Sequence, residues 1–197
     1  PYRFENHPGW AGTAHCGVFT DGQGNYFMAH QGRLSPQNQL MVLHVRQLFF
    51  TPDGWPVVSS ERYAGTPPRE FTEADLVGEW EIIRVQEPKY ERQLEAGQIL
   101  WGEGELKDGE WNLSTRVNLA KNGTCAGEMT DDEWKNVQMN GNWSFLTEKQ
   151  LLMIESDKEI IENLIIFAGH DRENETETIL FTGLDSRGRS VWGKRIK

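Results

Sequence analysis

The residue best placed by type and spacing to do chemistry is His15, in the run Ala14-His15-Cys16-Gly17 that follows Gly9-Trp10-Ala11-Gly12-Thr13. It falls at the expected start of a strand, after a glycine-containing loop. A neutral imidazole in that position can bind a metal or hydrogen-bond a substrate. The plain alternative is a structural histidine, and the adjoining Cys16 reads as a small buried residue rather than a nucleophile. Trp10 and Arg33 form a looser pair, since aromatic faces stack on sugar rings and a guanidinium offers a rigid hydrogen-bond fork. Both types also serve as packing and surface residues. Glu103 and Glu105, in Gly102–Leu106, share one strand face and so form a carboxylate pair of the type used in glycoside hydrolysis. Alternating acids on a hairpin read equally as a solvated strand face. No nucleophile elbow, phosphate-binding loop, zinc-protease helix or EF-hand loop occurs.

Composition narrows the partners. The chain has 197 residues and a formal net charge of -10, with acidic residues spread along it rather than gathered in a tail. Nucleic-acid binding needs a concentrated basic surface, so a nucleic-acid partner is not expected. No apolar run approaches the ~18 residues of a membrane span, and no membrane partner is expected. The two cysteines, Cys16 and Cys125, make no disulfide framework and no zinc-site spacing. Pro1 opens a polar, irregular stretch, so the start is expected to be internal. Four glycosylation sequons begin at Asn112, Asn122, Asn142 and Asn174, and matter only in a host that modifies them.

These candidates need elements to hold them, and the pattern is all-β. Residues 13 to 59 read as four short strands in an antiparallel meander, with turns at Gly22-Gln23-Gly24 and Pro52-Asp53-Gly54. In the third run, Leu40, Val42 and Leu48 alternate with Met41, Leu43, Val45 and Phe49, so both faces are largely apolar. A free sheet would leave one such face in water, whereas propeller blades stack on neighbours. No internal repeat supplies those neighbours. Residues 60 to 76, with Pro67-Pro68, read as a linker. Beyond them, strand-like runs alternate with turn signals at Lys107-Asp108-Gly109, Lys121-Asn122-Gly123, Asn140-Gly141 and Ser186-Arg187-Gly188. That rhythm predicts a small lipocalin-like closed barrel, with a sandwich as the rival.

The segment GWAGTAHCGVFTDGQGNYFMAHQGR, followed by LHVRQLFFTPDGWPVVSSERYAG, resembles the last propeller blade of glycoside hydrolase family 43 arabinanases. The pattern around LAKNGTCAGEMT, interrupted at Asp131 to Asn140, and the terminal GLDSRGRSVWGKRI resemble their C-terminal accessory domain. The resemblance implies residues 1–62 as the last blade of a five-bladed propeller, 63–76 as a linker and 77–197 as the accessory barrel. It implies an inverting hydrolase of α-1,5-linked arabinofuranose chains, extracellular or periplasmic, whose catalytic carboxylates lie outside this chain. His15 matches the blade histidine that touches a central calcium ion or its water shell, with Cys16-Gly17 where the family commonly has Asn-Ser. The implied partners are arabinan or its oligosaccharides and the N-terminal propeller portion of the same enzyme, which a separate chain could supply. A rival expectation from another class is a stand-alone carbohydrate- or small-ligand-binding barrel without catalysis.

Overall fold

The computed structural model describes residues 2–7, 9–34, 40–86, 112–133 and 135–196. Glu103, Glu105 and the expected turn at Lys107-Asp108-Gly109 lie outside the described residues.

The N-terminal unit is the expected meander with two added strands. Strands β1 (Tyr2–Arg3), β2 (Trp10–Thr20), β3 (Tyr26–Leu34), β4 (Met41–Phe50) and β5 (Pro56–Val58) join β7 (Asn112–Leu113) in one sheet. Its order is β5-β4-β3-β2-β1-β7. The β4–β5 turn follows from Asp53-Gly54: Gly54 has φ 92, donates to the Thr51 carbonyl at 2.8 Å, and Thr51 Oγ1 donates to Asp53 at 2.6 Å. Strand β1 pairs antiparallel with β2 and parallel with β7, which ties the chain's start to a segment more than a hundred residues away.

The remaining strands are β6 (Gly78–Arg84), β8 (Thr115–Leu119), β9 (Thr124–Thr130), β10 (Asn136–Leu146), β11 (Leu151–Ser156), β12 (Ile160–Asp171), β13 (Thr176–Leu184) and β14 (Ser190–Arg195). They close in the order β10-β11-β12-β13-β14-β6-β8-β9, so the barrel replaces the rival sandwich. Alternation sets the inside: in β8, Thr115, Val117 and Leu119 are buried while Arg116 and Asn118 face out. Trp80, Val117, Met139, Leu152, Ile154 and Phe181 fill the interior, so this is a packed core, as a barrel of this strand number permits. The stretch expected as a linker ends in the short helix α1 (Glu73–Leu76), and its Phe71 and Leu76 seat in that core. Gln150 clasps Phe71, accepting from its N–H at 2.8 Å and donating to its carbonyl at 3.1 Å.

Asn140-Gly141 is not a turn. It lies within β10, where Gly141 pairs with Cys125 on one side and Ser156 on the other. A Cβ at Gly141 would run into the Glu155 carbonyl, so the glycine serves close strand approach in a tightly curved sheet. The chain reverses instead at Asp131, whose carboxylate accepts from the N–H groups of Glu133 and Lys135.

Sheet and barrel share a junction of Tyr2, Phe4, Trp10, Ile83 and Trp192. Tyr2 meets Trp192 edge-on at 4.9 Å, Phe49 meets Phe167 at 4.5 Å, and Thr182 Oγ1 donates to the Val58 carbonyl at 2.7 Å. Burying each large side chain there contributes about 2 kcal/mol.

Candidate functional site

His15 sits in the middle of β2, not at its start, because the strand already begins at Trp10. Two irregularities bracket it. Between Ala11 and Ala14, and again between Ala14 and Gly17, β2 advances three residues while β3 advances two. Each step is a β-bulge with one extra residue, a device that bends a strand and re-aims a side chain. Gly12 takes the left-handed conformation in the first bulge (φ 57), and His15 takes it in the second (φ 54). A glycine adopts that backbone freely, whereas a side chain there costs about 1 kcal/mol or more. The result is an exposed imidazole on a kinked strand. Cys16 is exposed too, which corrects the expectation of a buried residue: the surface it occupies is uncovered, while Cys125 is the buried thiol.

Arg33 pairs with Ala11 across the sheet, and its side chain lies along the space beside Gly12. Trp10 is in a different setting. It is 8% exposed, with His44 edge-on at 4.1 Å, His7 at 5.6 Å and the Arg62 guanidinium 5.4 Å from its ring centroid. The structure thus groups Arg33 with the bulged part of β2 and places Trp10 at the sheet–barrel junction.

Behind Trp10 lies a polar network that sequence reasoning missed. Arg46 Nε donates to His30 Nε2 at 2.8 Å, so His30 Nδ1 carries the proton and donates to the Gln31 carbonyl at 2.7 Å. The same guanidinium donates to the Ser59 carbonyl at 3.0 Å, to the Ser60 carbonyl and to the Tyr2 hydroxyl. Burial, reinforced by Arg46, pushes His44 down to about 3, and burial with Lys194 pushes His7 down to about 4, so both rings are neutral.

A second missed cluster joins sheet to barrel. Lys194, 1% exposed, pairs with Glu61 at 3.4 Å, with Asp171 at 3.2 Å and with Glu173. Burial pushes Glu61 up to about 7, aided by Glu173 and resisted by Lys194. Glu81, opposite Lys194 in the β6–β14 ladder, is likewise pushed up to about 7 by burial. Burial would raise Asp171 as well, but hydrogen bonds from Glu173, Asn174 and Lys194 outweigh it and hold the carboxylate ionised. For Lys194 burial favours the neutral amine, and the surrounding carboxylates win, holding it charged. Oxygens of Glu61, Asp171 and Glu173 lie within 4.8 Å of one another, a spacing that could hold a metal ion. The Lys194 ammonium already supplies the cation at that place.

Among the described residues this is the only such group of three potential ligands, so His15 has no companion set among them. Calcium prefers six or more oxygen ligands. The residues present around His15 therefore do not by themselves fit a calcium ion.

A family model described as GH43_C, C-terminal lipocalin-like domain, matches residues 60–193. The chain belongs to this family. Two curated relatives of this GH43_C chain are extracellular endo-α-(1→5)-L-arabinanases, one from Bacillus subtilis and one from Thermotoga petrophila. The first is 23% identical over 192 residues, covering 97% of this chain and 34% of the relative. The second is 24% identical over 191 residues, covering 96% and 35%. The chain thus spans about a third of the length of these relatives. Among solved structures, the glycoside hydrolase family 43 YxiA protein from Bacillus licheniformis superposes with a TM-score of 0.75 at 21% identity, over 100% of this chain and 38% of that one. The endo-1,5-α-L-arabinanase from Thermotoga petrophila gives 0.71 at 19%, over 95% and 36%. The shared fold therefore extends beyond the GH43_C barrel into the N-terminal meander. Among the described residues no helix is long and apolar enough to cross a membrane.

Proposed function

We propose that this chain is the closing part of an extracellular, inverting family 43 glycoside hydrolase that cuts α-1,5-arabinofuranosidic bonds. Residues 1–62 form its last propeller blade, 63–76 the connection and 77–197 the accessory barrel. The observation that carries this reading is the uncovered apolar surface on both faces of the meander. Val18 is 59% exposed and Tyr26 41% on one face; Phe19 is 46%, Met41 58% and Leu43 72% on the other. A sheet that leaves apolar side chains open on both sides, beyond the part of one face that Tyr2 and residues 59–60 cover, is built to be stacked between neighbours, and a chain a third of its relatives' length lacks room for them. The missing neighbours are the N-terminal blades, which also carry the catalytic carboxylates.

In this reading the bulge presents His15 toward the sugar-bearing centre. There it would offer one imidazole contact to a hydrated calcium ion, the remaining ligands being supplied from outside this chain. Such an ion would supply positive charge that lowers the pKa of nearby carboxylates. Arg33 borders the cleft as the hydrogen-bonding fork, and Trp10, packed on His44, forms the wall behind it. The test is hydrolysis of linear arabinan by the full-length enzyme and its His15→Ala variant. A loss of about 100-fold with an unchanged melting temperature is expected, as for groups that orient a metal site. Full activity in the variant, or no arabinan cleavage by the parent, would overturn the assignment.

A further inference from the structure

The outer face of the barrel carries a cleft that the hydrolase reading does not use. It has a volume of about 750 Å³, within the range of ~300–1,000 Å³ typical of ligand sites. One wall is the extended stretch at Pro67, Pro68 and Arg69 with helix α1; the other is the outward face of β6, β13 and β14. Glu81 lines it at depth. That residue is 4% exposed, and its Oε2 is shielded from solvent and has no hydrogen-bond partner. A buried carboxyl oxygen left unpaired carries a desolvation cost that a ligand donor in the cleft would remove.

The chemistry of the walls selects the ligand. Three guanidiniums reach the cleft and each is already engaged. Arg116 pairs with Glu5 and with Glu79, Arg195 donates to the Val77 carbonyl at 3.0 Å, and Arg69 lies 4.2 Å from the Phe71 ring centroid. Asp75, Glu81, Asp171 and Glu177 oppose them from the same lining, Asp75 lying 3.9 Å from the Arg69 guanidinium. An anion meets the carboxylates and a cation meets the guanidiniums, so neither gains a net attraction. A neutral molecule with many hydroxyls can donate to Glu81 and exchange hydrogen bonds with Thr176, Thr178 and Asn174. The rings of Pro67 and Pro68 offer apolar surface for its C–H faces.

We propose that this cleft binds a short neutral oligosaccharide, with the Glu81 carboxyl turning so that Oε2 accepts a hydrogen bond from a sugar hydroxyl. Burial that pushes Glu81 up to about 7 adds to the case, because a carboxyl close to neutrality can also donate. The ligand class rests on the cleft alone; only the choice of arabino-oligosaccharide as first probe rests on the hydrolase reading.

The test is an amide chemical-shift titration of this chain with arabino-, xylo- and cello-oligosaccharides, with glycerol as control. Saturable shifts around Thr178 and Arg195 are expected with at least one oligosaccharide and not with glycerol. Glu81→Leu should weaken that binding about tenfold, the worth of one hydrogen bond to a buried carboxyl. Ala74→Trp, an exposed position on the opposite wall, should abolish it without touching Glu81. Saturation by xylo- or cello-oligosaccharide alone would uphold the cleft while counting against arabinan as the natural polymer. No saturable shift with any of the three, or binding that both variants leave intact, would overturn the site and leave the hydrolase reading where it stands.

Discussion

Replacing Lys194 by methionine should destabilise the protein severely, and more at pH 8 than at pH 5. The ammonium is the shared partner of Glu61, Asp171 and Glu173. Removing one side of a buried ion cluster typically costs about 3–5 kcal/mol, because the remaining charges stay dehydrated and unpaired. At pH 8 Glu61, near 7, is ionised in the native protein, and without Lys194 the buried carboxyls must either repel one another or take up protons against the solvent pH. At pH 5 Glu61 takes up a proton, and so does Glu81 across the ladder, so the loss should shrink by roughly 1–2 kcal/mol. The native protein has a pH signature of its own. Carboxyls raised from 4.5 to about 7 contribute stability that is complete below 4.5 and lost as pH rises through 7. His7 and His44, lowered to about 4 and about 3, act oppositely: their contribution is present above 6.5 and lost as pH falls through those values. The two effects oppose one another between 4.5 and 6.5, as do the raised Glu173 and the lowered His30, and above 6.5 the carboxyl loss is unopposed, so stability should fall between about 6.5 and 7.5. Urea titrations of the native protein, Lys194→Met and Lys194→Met/Glu61→Gln at both pH values would show this. The double variant should regain about half of the pH 8 loss. A single-variant loss below about 1 kcal/mol, or equal losses at pH 5 and pH 8, would refute the charge accounting.

Two further expectations concern the backbone. His15→Gly should leave stability unchanged or raise it by up to about 1 kcal/mol, because glycine relieves the left-handed strain and gives part of it back as chain entropy. Denaturant melts that show a loss above about 1 kcal/mol would mean the imidazole itself holds the bulge. Gly141→Ala should cost about 2 kcal/mol or more, since its Cβ meets backbone of β11 rather than a movable side chain; a neutral melting temperature would show that β10 can shift.

The meander and the barrel were legible because their turns are marked by residues with a mechanism, such as Asp53-Gly54, and their strands by alternation. Asn140-Gly141 misled for the same reason: the dipeptide carries a turn's chemistry, but here glycine answers to strand proximity, which only the three-dimensional ladder shows. His15 was singled out by type, yet its special backbone could not be, since a bulge depends on the register of β2 against β3. The Lys194 cluster left almost no trace. Alternation in β14 puts Trp192 and Lys194 on the outer face, where a lysine ordinarily meets water. The one hint was that Ile83 and Trp192 point the same way, which says that something covers that face. The Arg46 network escaped likewise, because nothing in the alternation of β3 and β4 says that Tyr2 and residues 59–60 close over His30, His44 and Arg46.

The claim on which the functional reading rests is that the meander is a blade with neighbours on both faces. Leu43→Glu tests it directly, because Leu43 is 72% exposed in this chain. Thermal melts should show a change within about 0.5 kcal/mol in this chain alone, as for an ordinary surface substitution. In the full-length enzyme the same change should cost about 3 kcal/mol or more, since the glutamate would be buried against the adjoining blade. An equally small effect in both proteins would contradict the propeller assignment.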